Sequence, residues 1–259
     1  MINASPLPRA GEGVFFSEPS GITTMSHPDR FLITCEHGGN RIPSRYREFF
    51  HGRSALLRSH RGYDLGALRV ARELSARLHA PLLVSTVSRL LVELNRSPGH
   101  PDLFSEVTCG IDVDLRDEIV ARYYQPYRSK AETMIAQAIG AGARVVHVSS
   151  HSFTPELNGD VRDADIGLLY DPERPGDAEL CRRWQAALRE CAPGLKVRMN
   201  YPYLGTDDGL TVYLRQRFPA ARYLGIELEI NQKHVRAGAA HWRMVREAAI
   251  RSFSVAEAV

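Results

Sequence analysis

FLITCEHGGN, residues 31–40, joins a short apolar run to a polar cluster, Glu36-His37-Gly38-Gly39-Asn40. A run that short and apolar fits a strand covered on both faces, as in a parallel sheet. The pattern recurs downstream. RVVHVSS (144–150) leads into His151-Ser152, and LLVEL (90–94) into Asn95-Arg96. YLGIELEI (223–230) carries Glu227 and Glu229 near its end and is followed by Asn231. PLLVSTV (81–87), IGLLY (166–170) and LKVRM (195–199) complete the expected strands. Helical spacing is found over about 63–78, 115–139, 177–191, 210–218 and 236–253. Strands alternating with helices predict an α/β fold, a mostly parallel sheet covered by helices on both faces. Such sheets bind ligands beyond the carboxyl ends of their strands, which is where the polar residues gather.

The 259 residues are 44% hydrophobic and 24% charged, with a net charge of +3 from 33 basic and 30 acidic residues. That composition suits a globular chain with a sizeable core and excludes a disordered or fibrous one. All the basic residues except Lys130, Lys196 and Lys233 are arginine, and they form no run or stripe. A nucleic-acid partner is therefore not expected, because phosphate-backbone binding needs clustered cations. Cys35, Cys109, Cys181 and Cys191 are too few and too irregular for a disulfide framework, and none forms the CxxC pair of a zinc ribbon. No apolar stretch reaches the length of about 18 residues that a membrane span needs. The first residues also lack a basic start followed by an apolar run, so the chain reads as cytoplasmic. Residues 1–29, rich in Pro, Gly and Ser, are expected to form an arm ahead of one domain over 30–259. The oligomeric state is open.

Two histidines at strand ends, one acidic residue and open coordination positions are what a catalytic zinc site needs. His37 and His151 are the natural pair, each followed by a small residue that leaves room for substrate. Asp64 in HRGYDLGA (60–67) is the chosen third ligand, on a turn opening a helix. The spacing is no signature in itself, unlike HExxH; the convergence on one rim selects these residues. Arg89, Asn95 and Arg96, in SRLLVELNRS (88–97), suit an acidic substrate, because a guanidinium forks onto a carboxylate or polarises a carbonyl. Carboxylates in a buried strand are costly unless paired or placed at a working rim. Glu229, nearer the rim, is expected as general base, and Glu227 as the partner of an arginine. Asn40 and Asn200 are counted as further substrate contacts. The stretch from Asn200 to Thr211 reads equally as a pocket loop or a surface turn. Cys35, two residues before His37, offers a thiol nucleophile instead, although its place in an apolar run favours a buried filler.

Six blocks carry a family resemblance: TCEHGGNRIP, HRGYDLGA, SRLLVELNRSPG, VSSHSFTP, NYPYLGTDDGLT and LGIELEINQK, in that order. Over roughly residues 30–235 the chain resembles the N-formylglutamate amidohydrolase family. The resemblance implies a three-layer α/β/α sandwich around a mixed sheet, similar to the zinc carboxypeptidases and aspartoacylases. It implies one zinc ion on His37, Asp64 and His151, a substrate carboxylate on Asn95 and Arg96, Glu229 as base and Arg89 at the oxyanion. The implied reaction frees formate, or a short acyl group, from a small acidic amino acid such as N-formyl-L-glutamate, as in histidine degradation. The relatives' HxxE is absent, since Asn40 stands three residues after His37, so the acidic ligand comes from elsewhere. Another N-acyl amino acid or peptide-like amide is the alternative substrate. A non-catalytic carboxylate-binding module is the alternative to an enzyme.

Overall fold

In the computed structural model, which describes residues 28–257, the strands are β1 (Asp29–Cys35), β2 (Leu82–Val84), β3 (Arg144–Phe153), β4 (Glu156–Leu157), β5 (Asp160–Val161), β6 (Ile166–Leu169), β7 (Val197–Met199) and β8 (Tyr223–Asn231). Six of them make one sheet in the order β2-β1-β3-β8-β6-β7. Its junctions are parallel except where β6 meets β8; β4 and β5 pair separately as a small hairpin. The helices are α1 (Ser54–Arg58), α2 (Ala67–Leu78), α3 (Val113–Ile119), α4 (Gln125–Gly140), α5 (Pro175–Cys191), α6 (Leu210–Arg217), α7 (Lys233–Arg236) and α8 (Ala239–Glu257). A π-helical turn, Val120–Tyr124, joins α3 to α4, so the long helical pattern is one continuous rod.

Alternate residues of a strand face opposite sides of the sheet, and here the two sides differ. On one side Ile33, Cys35, Val146, Val148, Ile226, Leu228 and Ile230 bury against Leu74 of α2, Trp184 of α5 and Phe253 of α8. On the other, Leu32, Val145 and Tyr223 pack beneath Ile135 of α4 and Leu214 of α6. Toward the carboxyl ends of the strands this second side turns polar: Thr34, then His147, Ser149 and His151, then Glu227 and Glu229, all buried. One side is thus a continuous foundation for helices. The other is apolar at one end and chemically equipped at the other.

The three-layer α/β sandwich on a mixed, mostly parallel sheet is the architecture expected. LLVEL (90–94), expected as a strand, is instead a buried loop. Its side chains fill the second core, but its carbonyls find side-chain donors rather than a ladder. Ser105 Oγ donates to the Leu90 carbonyl at 2.6 Å, Thr108 Oγ1 to that of Leu91 at 3.2 Å and Arg128 Nη1 to that of Leu94 at 3.0 Å. Buried backbone needs partners, and a ladder is only one source of them. The helix expected from residue 63 begins at Ala67, because Gly66 stands at φ +90°, a conformation that L side chains rarely adopt. The turn before it carries Asp64. The closing helix is broken into α7 and α8 around Gly238, at φ +104°. The arm expected over 1–29 lies outside the described residues except for its end. There Asp29 opens β1 and takes a two-pronged ion pair from Arg144, at 2.7 and 2.6 Å.

Candidate active site

β1 ends at Cys35, and the turn beyond it lays His37 over the end of the sheet. The Asp64 amide donates to the His37 carbonyl at 3.0 Å, which fixes the two turns together. His151 rises from the polar side of β3. Both imidazoles present Nδ1 to the same oxygen, Asp64 Oδ2, at 3.3 Å from His37 and 2.9 Å from His151. One ligand atom from each of these residues lies within 4.8 Å of the others, and all three are buried. Behind each ring stands another carboxylate: Glu93 Oε1 on His37 Nε2, and Glu36 Oε2 on His151 Nε2 at 3.1 Å. A carboxylate that accepts from Nε2–H leaves the Nδ1 lone pair for a cation, the usual setting of a histidine ligand. Neither Glu36 nor Glu93 was anticipated from sequence. The available signal was an acid inside the apolar run LLVEL for Glu93, where burial is costly without a partner, and for Glu36 an acid directly at the end of a buried strand.

Glu36 is held further by Ser149 Oγ at 2.5 Å and Tyr127 OH at 2.8 Å. Burial opposes the charge on Glu36, Asp64 and Glu93. The hydrogen bonds and charges of His151 on Glu36, of His37 on Asp64 and of Arg89 on Glu93 outweigh it, and all three carboxyls are held well below their ordinary range. Burial likewise opposes charge on the two imidazoles. Glu93 and Asp64 nonetheless raise His37, and Asp64 and Glu36 raise His151. With both rings neutral, ionised Glu36, Asp64 and Glu93 would face Arg89 alone, two negative charges in excess. Two protons restore neutrality, and so does one divalent cation in their place. Two imidazole nitrogens and a carboxylate oxygen form a donor set that zinc takes in catalytic sites.

His151 and Glu229 are register partners on neighbouring strands, so the Glu229 carboxyl stands beside the His151 ring. Glu229 Oε2 is buried with no hydrogen-bond partner among the described residues. Burial pushes this carboxyl up to about 8, with Asp64 and Glu227 adding to the effect against the opposing pull of His151. Glu227 accepts from Thr211 Oγ1 at 2.5 Å rather than from the arginine expected for it. Arg89 donates from Nε to Glu93 Oε2 at 2.6 Å and from Nη1 to Asp64 Oδ1 at 3.3 Å. Asn95 accepts the Leu210 amide at 2.6 Å, and Arg96 Nη1 donates to the carbonyls of Asp208 and Asn95 at 2.6 and 3.0 Å. His37, Asp64, Arg89, Asn95, Arg96, His151, Glu227 and Glu229 together line one cavity of about 120 Å³, joined there by Tyr203 and Asp208.

Two expected substrate contacts lie elsewhere. Asn40 turns away and donates to the Leu57 carbonyl at 3.0 Å. Asn200, at φ 47°, accepts from the amides of Tyr170 and Gly205 at 2.9 and 3.1 Å, so it shapes the loop and does not line the cavity. The loop following Asn200 does reach the cavity, through Tyr203, Leu204, Asp207 and Asp208. Cys35 faces the apolar side of the sheet, where burial pushes its thiol up, and it is no part of this wall. For the supporting carboxylates, Glu93→Gln is expected to weaken metal affinity by about 10–100-fold. Competition with a chromogenic chelator measures this, and unchanged affinity would assign Glu93 to Arg89 alone.

A profile for N-formylglutamate amidohydrolases matches residues 29–235. Among solved structures, a gene product of Agrobacterium tumefaciens is 29% identical over 90% of this chain and 92% of its own, with a TM-score of 0.77. An N-formylglutamate amidohydrolase from Ralstonia eutropha is 19% identical over 90% and 94%, with a TM-score of 0.65, and shares the fold. No curated protein matches the sequence.

Proposed function

Because the chain belongs to the N-formylglutamate amidohydrolase family, we propose that it hydrolyses the N-formyl or short N-acyl amide of a small acidic amino acid, N-formyl-L-glutamate foremost. The observation that carries this is the convergence of two Nδ1 atoms on Asp64 Oδ2 beside the unpartnered Glu229 Oε2. His37, Asp64 and His151 would hold a divalent metal, zinc by the donor set. Such an ion supplies polarisation of an amide carbonyl and a lowered pKa for a water.

The chain's own groups do the rest. Glu229 Oε2 takes the proton of the attacking water as its oxygen bonds to the formyl carbon. The same oxygen then delivers that proton to the amide nitrogen as the C–N bond breaks, releasing formate and the free amine. Arg89, held by two carboxylates and 29% exposed at the pocket wall, donates to the developing oxyanion. Arg96 spends Nη1 on carbonyls and pairs with no carboxylate among the described residues, so its remaining edge takes the substrate's α-carboxylate. Asn95 supports it from the adjacent position.

Zinc content and formate release from N-formyl-L-glutamate test this together. About one zinc per chain is expected, with turnover that a chelator removes and zinc restores. Turnover indifferent to chelation sinks the metal. Zinc without turnover on any N-acyl amino acid sinks the reaction.

A further inference from the structure

A second cavity, of about 730 Å³, shares Arg89, Arg96 and Tyr203 with the first, so those three side chains border both. They differ in charge. Asp64, Asp207, Asp208, Glu227 and Glu229 line the inner one, whereas the outer wall adds His60 and Arg61. The acids of the outer wall are mostly engaged or turned outward. Glu93 holds Arg89 and His37, and Asp102 is 82% exposed. Glu106 pairs with Arg61 at 2.7 Å, with the two side chains 44% and 51% exposed. An ion pair that open to water is weak and yields to a competing carboxylate. The field at His60 is positive: burial first, then the charges of Arg61, Arg162, Arg89 and Arg236, hold its imidazole below the ordinary value.

We propose that His60 and Arg61 form a second carboxylate subsite on this outer wall, which selects substrates with an anionic side chain. The inference rests on the amidohydrolase reading, with the α-carboxylate on Arg96. Because Arg96 borders both cavities, a substrate anchored there sends its amide inward to Glu229 and its side chain outward. Inward, a second carboxylate would meet Asp207, Asp208 and Glu227, like charges that repel it. Outward, it meets one imidazole N–H and a guanidinium whose present partner is weakly held. The proposal thus gives a physical reason for a dicarboxylate substrate.

The test compares kcat/KM for N-formyl-L-glutamate with that for its neutral isostere N-formyl-L-glutamine, on the zinc-loaded full chain. The wild type is expected to prefer the glutamate. In Arg61→Gln and in His60→Asn that preference falls, by roughly tenfold for the arginine, through a raised KM for N-formyl-L-glutamate. Glu106→Gln frees Arg61 and moves the preference the other way, a change of sign that loss of structure does not produce. Parallel changes for both substrates, or a wild type that prefers the glutamine, overturn the subsite and leave the amidohydrolase reading standing. A zinc-loaded wild type that turns over neither these two nor the corresponding N-acetyl amino acids ends both.

Discussion

On the proposed reaction, Glu229→Gln is expected to lower turnover of N-formyl-L-glutamate by about 10²–10⁴-fold with zinc content unchanged. The substitution preserves size and leaves an amide that cannot accept the proton. Glu229 lies beside the three residues whose donor atoms cluster and is not one of them, which is why metal content is expected to hold. The wild type's pH profile carries the same information. A base works only as the carboxylate, so kcat/KM rises with pH through the Glu229 pKa. Burial sets that value at about 8 without metal, and a nearby dication favours the charged form and moves the rising limb lower. In the variant the limb disappears. Activity within a few-fold of wild type removes Glu229 as base, and loss of zinc would make it a ligand.

Asp64→Ala removes metal and turnover together. Asp64 Oδ2 is the point on which both imidazoles converge, and it also receives the Ser152 amide at 3.3 Å. Without it, two histidines remain in front of Glu36 and Glu93 with no third donor among the clustered atoms. Zinc affinity is expected to fall further than the roughly 10–100-fold assigned to Glu93→Gln, and turnover to drop to background. Titration against a competing chelator reads the first and formate release the second. Full occupancy and activity in this variant would mean that another carboxylate completes the site.

The sequence exposed the strand ends more clearly than the segments between them. FLITC, RVVHVSS and YLGIELEI were legible because apolar residues recur along one side of each strand, such as Ile33 and Cys35, Val146 and Val148, and Ile226, Leu228 and Ile230. LLVEL was not, because an apolar run records what its side chains prefer and says nothing of how its carbonyls are satisfied. Here Ser105, Thr108 and Arg128 satisfy them from elsewhere in the chain. His37, His151 and Asp64 could be collected by residue type and placement. Their supporting carboxylates could not, because the pairing is crossed: Glu36 is adjacent to His37 yet serves His151, and Glu93, 56 residues from His37, serves that ring. Local spacing cannot encode such an exchange. Asn40 and Asn200 had the right chemistry in the right blocks, but backbone groups had already claimed their amides.

The loop at 88–97 has a consequence for how this protein can change over generations. His151 and Glu229 are set by strand register, which shifts only if the whole sheet does. Arg89, Asn95 and Arg96 ride on a segment outside the sheet, anchored by side-chain bonds that can be exchanged singly. Selection can therefore redraw the guest list by altering this segment while the proton-moving half of the site stays in place. Glu93 ties this segment to the turn after β1, since it touches both Arg89 and His37. Drift in substrate preference should accumulate around that residue and spare it.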